Sequence, residues 1–264
     1  ATDLLLDGAI GAPVVDAGQR MQVPLDLFLR TRSDVAFPSS PGAADFGTSG
    51  DDPFVAGRPL QLAARLATVN QALHVLWNSG LIDLDITTLL PETISGLISR
   101  GRVLGRMPPV VRAPRGRETG DLVLALGQLE LELESLGDTT VYGLSLRVGA
   151  RLVTRDGALG LAIDNSPRVE AWIISTEGEG PPLGLDGPAL TGLFVSQLWG
   201  TVTDLVADLS IDAPAFALPL EGIAPELADF SLVLGTEQDL EVRGGYLVVP
   251  LTLEGRTPPA APAP

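Results

Sequence analysis

The sequence predicts an α+β fold in which an antiparallel sheet covers two helices. Three observations carry the prediction. Segments in which apolar and polar residues alternate recur along most of the chain, and alternation is the signature of half-buried strands. Two longer segments instead place apolar residues three and four apart, the helical period. The 264 residues also include 30 Gly and 22 Pro, a turn-rich composition that suits many strands. At 45% hydrophobic residues the chain can bury a sizeable core.

The elements follow in order. "LLLDGAIG" and "MQVPLDLFLRT" alternate and read as strands. Residues 33–57 are loop-rich and expected to be mobile. A helix is predicted from about Pro59 to Ser79. Pro59 suits its first turn, Leu62, Leu66, Val69, Leu73 and Leu76 form its apolar stripe, and Gly80 suits a left-handed C′ residue. Asp83 and Asp85 then share the outer face of a strand, and a short helix is expected at 92–101. "LELELES" turns Leu129, Leu131 and Leu133 inward and Glu130, Glu132 and Glu134 to water. "VYGLSLRVGARLVTRDGALGLAID" reads as a hairpin whose turn is Asp156-Gly157, a dipeptide suited to a type I′ turn. The second long helix is predicted from Pro188 to about Leu209, with Asp186 or Gly187 as its cap. Its broad apolar face carries Leu190, Leu193, Phe194, Leu198, Val202, Leu205 and Leu209. Gly192 and Gly200 lie inside it, and each costs about 1 kcal/mol against Ala unless a close approach to sheet or ligand offsets it. "RVEAWIIS", "LADFSLVLG" and "YLVVPLTL" are further strands. Both helical stripes need the sheet to bury them.

Charge excludes some functions. All 17 basic residues are Arg, against 33 acidic ones, giving a formal charge of −16. A Lys-free chain rich in Ala, Gly and Arg fits a high-GC coding bias. The acidic balance argues against nucleic acid as a partner and against an electrostatic grip on anionic lipid. With 0 Cys there are no disulfides or thiolate metal sites. No apolar run is long enough to form a membrane-spanning helix. The N-terminus reads as mature or excised from a longer chain, and "RTPPAAPAP" as a Pro/Ala linker or tail.

Catalytic signatures are weak. His74 is the single histidine, so a triad or a zinc site would have to be built around it alone. It sits beside the Leu73 stripe and reads as a packed or surface residue. "GEGPPLG" at 178–184 departs from a dinucleotide loop, and "GDDP" at 50–53 is an isolated acidic pair. The expectation is a non-enzyme with no cofactor and no metal.

One stretch suggests a family. "VNQALHVLWNSGLIDLDI" (69–86) resembles the helix-then-strand segment that opens the C-terminal barrel of the bactericidal/permeability-increasing protein family. "MPPVVRAPR" (107–115) is similar to the Pro-containing edge before that family's β-meander. "LDGPALTGLFVSQLWGTVTDLVADL" resembles its second long helix, "PAFALPLEG" its exit, and "LADFSLVLGTEQDLEVRGGYLVV" its closing hairpin. The resemblance covers roughly 60–255 and rests on element order and one turn. It implies a TULIP-like (tubular lipid-binding) fold: a strongly twisted antiparallel sheet, or half-barrel, wrapped around long amphipathic helices. The family's lipopolysaccharide binders carry a basic tip; this Lys-free, acidic chain does not fit endotoxin neutralisation.

The expected organisation is then as follows. Residues 1–57 add N-terminal strands and a loop to the same domain, 58–255 form the TULIP-like module, and 256–264 a linker or tail. The expected function is non-catalytic binding, and transport, of a lipid or other hydrophobic ligand in an apolar groove between helices and sheet. Leu66, Val69, Leu73, Phe194, Leu198, Val202 and Leu205 are the candidate lining residues. The alternative is a structural or protein-interaction domain of a larger exported bacterial protein, with a filled core. A transient membrane contact, and a second TULIP domain or a homodimer, are the further partners considered. The expected location is periplasmic, exported or at the surface of a bacterium.

Overall fold

The computed structural model describes residues 3–12, 14–15, 21–32, 42–80, 82–89, 95–155, 158–178, 185–200, 203, 210–212, 218–219, 230–234 and 241–255. They form a mostly-sheet α+β protein whose main sheet curls into a half-barrel. At the N-terminal end β1 (Asp3–Ile10) pairs antiparallel with β4 (Leu25–Arg32), and a small ladder joins β2 (Val14–Val15) to β3 (Met21–Gln22). β5 (Gln61–Arg65) leads directly into α1 (Leu66–Asn78).

The main sheet has eight strands. β6 (Asp83–Asp85), β7 (Arg100–Gly105), β8 (Val110–Arg112), β9 (Leu122–Ser135), β10 (Asp138–Arg155), β11 (Ala158–Ile163), β12 (Arg168–Glu177) and β13 (Ser210–Asp212) build it around the long β9–β10 hairpin. Between β12 and β13 lies α2 (Gly187–Leu193), which runs on without a break through a π-turn, 194–198, to Gly200. β14 (Leu218–Pro219), β15 (Phe230–Leu234), β16 (Glu241–Arg243) and β17 (Tyr246–Gly255) form a second sheet, and β5 joins it along β17.

Alternation sets the core. The even-numbered side chains of β10, from Thr140 to Ala150, are all buried, and Leu129, Leu131 and Leu133 of β9 lie on the same side. Three clusters follow one another along this face. Tyr142 and Leu144 meet Leu190, Leu146 and Val148 meet Trp199, and Ala150 meets Leu66 and Leu122. Both helices therefore cover one continuous apolar floor.

Two irregularities shape the sheet. The β9–β10 register shifts between Leu144 and Leu146, and Gln128 beside the shift has a φ of 31°. This bulge lies where the edge partner of β9 changes from β7 to β8. The connection between them holds Pro108 and Pro109, which have no N–H to give to a ladder. The second shift, between Val141 and Tyr142, leaves Ile174 of β12 without an opposite residue. Among the described residues β12 pairs with β10 alone, and its Trp172, Ile173 and Ile174 stay exposed. Trp172 lies across Gly143, where a Cβ would stand 2.2 Å from the indole.

Several expectations change. Gly80 does take a positive φ, of 85°. The helix before it starts later than predicted, however: residues 61–65 are a strand, and Leu62 belongs to it. The reason is non-local. Five residues, Gln61 to Arg65, pair with Pro250 to Tyr246, and this ladder outweighs a weak local helical period. Long amphipathic helices are not what the described residues show: α1 has 13 residues and α2 has 7 before its π-turn. The end of the second predicted helix, 204–209, lies outside the described residues. So do residues 92–94 of the expected short helix; within the rest of it Ser95 is helical and Arg100 already opens β7. The Asp156-Gly157 turn is likewise outside them, but the flanking pair Arg155–Ala158 makes it a two-residue connection.

The β9–β10 turn carries visible strain. Leu136 and Gly137 both have positive φ, 53° and 93°, as a type I′ turn requires, and Leu136 is 95% exposed. A left-handed non-glycine residue costs about 1 kcal/mol, and Asn tolerates that region best. Leu136→Asn is therefore expected to raise the unfolding free energy by about 0.5–1 kcal/mol, seen as a higher urea midpoint at unchanged slope.

Candidate functional site

α1 is seated on the sheet by polar bonds as well as by packing. Leu66, Asn70 and Trp77 fall on one helical face and are all buried. The Asn70 side-chain amide accepts the Val111 N–H at 2.7 Å and donates to the Val111 carbonyl at 3.0 Å. β8 pairs with β9 on its other side, so Asn70 takes the place that a neighbouring strand would fill at the edge of the sheet. The same amide nitrogen donates to the Ala44 carbonyl at 3.0 Å, tying down the segment 42–49. In the last turn of the helix, the Trp77 indole N–H donates to the Gly105 carbonyl at 2.7 Å.

α2 is capped as expected: the Asp186 side chain accepts the Ala189 N–H at 2.8 Å, with Pro188 in the first turn. Gly187, not Gly192 or Gly200, makes the close approach. A Cβ there would lie 2.3 Å from the Ala171 carbonyl oxygen, whereas the other two face open space. Tyr142 donates its hydroxyl to the Leu185 carbonyl at 3.0 Å, and burial raises its pKa. The Trp199 indole donates to the Asp164 carbonyl at 3.1 Å, with its ring 6.2 Å from that of Phe194.

The candidate lining residues fall into three groups. Leu66 is 4% exposed and packed into the floor. Val69, Leu73 and Phe194 are half-buried. Leu198 ends the π-turn, and Val202 and Leu205 lie outside the described residues. His74 sits with its ring 5.6 Å from that of Trp77.

Two neighbouring cavities open around α1. The first, of about 310 Å³, lies between the start of α1, the segment 45–49 and the Arg112–Arg115 stretch; the second, of about 500 Å³, runs along α1 past Thr68, Gln71, His74 and Val75. Asp45, Arg65 and Ala67 line both. Leu66 lines the first, while Val69, Leu73 and Phe194 line neither. Sequence reading missed this side of α1. The clue available was the cluster Arg112, Arg115 and Arg117 in an otherwise acidic chain. Arg112 there forms a two-pronged pair with Glu118, at 2.6 and 2.5 Å, and this holds the Glu118 carboxyl down to a pKa of about 2. Arg115 lies over the Phe46 ring, 5.9 Å from its centroid. Among the described residues no three His, Cys, Asp or Glu side chains are grouped to hold a metal ion, and no helix is long and apolar enough to cross a membrane.

No family model and no curated protein matches the chain. Among solved structures it is similar to a crystal structure of lipopolysaccharide binding protein, with 17% identity and a TM-score of 0.39 over 96% of this chain. The chain spans 55% of that protein, about half its length. A superposition this loose carries no argument about function.

Two outcomes test the seating of α1. Asn70→Leu leaves the Val111 N–H and carbonyl buried without partners, at an expected cost of about 2–4 kcal/mol in denaturant unfolding. Glu118 has a lowered pKa, so the stability it contributes is complete above its ordinary 4.5 and is lost as pH falls towards about 2. Glu118→Gln is expected to flatten that part of the stability–pH curve.

Proposed function

We propose that the chain binds a lipid or other hydrophobic ligand, without chemistry, against the concave face of its curled sheet. One observation carries this reading: the floor is dry, but its surround is only half covered. Tyr142, Leu144, Leu146 and Val148 on β10 are closed off, while Leu124, Leu126, Ile163, Val169 and Phe194 beside them keep part of their apolar surface open. Close-packed interiors leave little apolar surface in that state. An acyl chain laid along it would gain about 25 cal/mol for each Å² removed from water. Val69 and Leu73 of α1 are half-buried in the same way.

In this reading the ligand is taken up by apolar burial, and the charge of −16 argues against nucleic acid as a partner. A periplasmic, exported or surface setting in a bacterium, transient contact with a membrane, and a second TULIP-like module or a second copy as neighbour complete the proposal. Transport follows only if the ligand exchanges. A second reading is a structural or interaction domain with a filled core. It is favoured by the way Leu190 and Trp199, both nearly inaccessible, plug the floor.

The two readings part on a direct test. Solvent extraction of the purified chain, followed by mass spectrometry, is expected to yield co-purifying lipid, and a fluorescent fatty acid or sterol is expected to bind. Phe194→Asp should weaken the probe about ten-fold, or about 1.4 kcal/mol, with the thermal midpoint checked to show that the fold survives. A chain that yields no lipid and binds neither probe is the filled-core domain instead.

A further inference from the structure

The cavity pair on the other side of α1 has a chemistry of its own. The helix turns Leu66, Asn70 and Trp77 to the sheet. Thr68, Gln71 and Val75, which line the second cavity, therefore lie on the opposite face. The second cavity is thus separate from the concave face, and the first meets the floor only through Leu66.

Its charge runs against that of the molecule. Overall, acidic residues outnumber basic ones 33 to 17, yet the first cavity is lined by Arg65, Arg112 and Arg115 against the single carboxylate of Asp45. Arg112 is neutralised by Glu118. Neither Arg65 nor Arg115 pairs with a carboxylate among the described residues. The Arg115 guanidinium is held in place over Phe46 instead, so part of the ordering cost of that long side chain is already met. Among the described residues, these two guanidinium groups against Asp45 leave one net positive charge. The first turn of α1, which has no side-chain cap and no acidic residue, adds to the positive potential.

We propose that this cleft binds a monoanionic carboxylate with an apolar tail. The carboxylate would sit between Arg65 and Arg115, whose planar donor forks match its two oxygens. The tail would run into the second cavity over Ala43, Ala44, Ala67 and Val75. A phosphate monoester, at about −1.5 to −2 near neutral pH, exceeds the one net charge available. Both volumes, about 310 and 500 Å³, fall within the range of small-molecule sites. The segment 42–49 roofs the cleft, and Asn70 anchors it at Ala44.

Calorimetric titration of the full chain with octanoate, octanol, octyl phosphate and acetate tests the proposal. Octanoate is expected to bind at least ten-fold more tightly than each of the other three. Arg65→Gln and Arg115→Gln, both at exposed side chains, should each weaken octanoate about ten-fold with an unchanged thermal midpoint, and Phe194→Asp should leave it unchanged. Octanol binding as tightly as octanoate removes the charge argument, and octyl phosphate binding as tightly removes the monoanion. Octanoate affinity lost in Phe194→Asp but kept in both arginine variants would place the ligand on the concave face and overturn the cleft. No octanoate binding at millimolar concentration overturns it outright. The variants tell the two sites apart: octanoate affinity lost in Arg65→Gln and Arg115→Gln reports on the cleft, and binding of the fluorescent sterol, which has no carboxylate, weakened in Phe194→Asp reports on the concave face, so either site can fail without the other.

Discussion

The amide of Asn70 is the contact on which the placement of everything else turns. A helix laid on a sheet by apolar packing alone can slide and roll, because dispersion and hydrophobic burial have no direction. Asn70 removes that freedom. It meets the free edge of β8 as a strand would, with a donor and an acceptor aimed at one residue, Val111. Trp77 repeats the device further along, at the Gly105 carbonyl. With these three directed bonds the helix has one register and one rotation. Its Leu66 then falls on Leu122 and Ala150, and its other side faces the segment 42–49.

One helix thereby serves two surfaces of different character. Towards the sheet it presents Leu66, Asn70 and Trp77; away from it, the strand-to-helix junction brings Arg65 close to Arg112 and Arg115. The Arg112–Glu118 pair stiffens the segment that carries Arg115, since the Arg115 backbone N–H also donates to Glu118, at 2.7 Å. Arg112 is neutralised by Glu118, and against Arg65 and Arg115 the lining sets only one carboxylate, Asp45. That carboxylate is itself engaged with the Gly47 N–H at 2.8 Å.

Much of the fold was legible because it depends on local periodicity. The Leu129–Leu131–Leu133 alternation, the β10–β11 connection, the Asp186 cap and the left-handed Gly80 all follow from residue type and spacing. What was not legible depends on partners distant in sequence. Gln61–Arg65 has the composition of a helix and becomes a strand only because β17, nearly two hundred positions later, offers it an edge. The glycine that matters for helix–sheet approach is Gly187, which reads locally as a cap residue; its neighbour is the Ala171 carbonyl. Nothing in a single sequence says that the helical amide of Asn70 will meet a strand edge 41 residues on. The arginine-lined cleft is only half legible for the same reason: Arg112 and Arg115 are close in sequence, but Arg65 joins them only through the fold.

The unmatched Ile174 has a consequence beyond the shape of β12. An edge strand with three adjacent exposed apolar residues is the usual seed for strand-by-strand growth between molecules. Growth of that kind needs an uninterrupted run of outward N–H and carbonyl groups at a regular repeat. The extra residue breaks the repeat in the middle of the Trp172–Ile174 run, so a second chain cannot stay in step along it. Greasy as it is, this rim of the protein is a poor template for fibres, and its apolar side chains can stay in water without drawing copies of the chain into an aggregate.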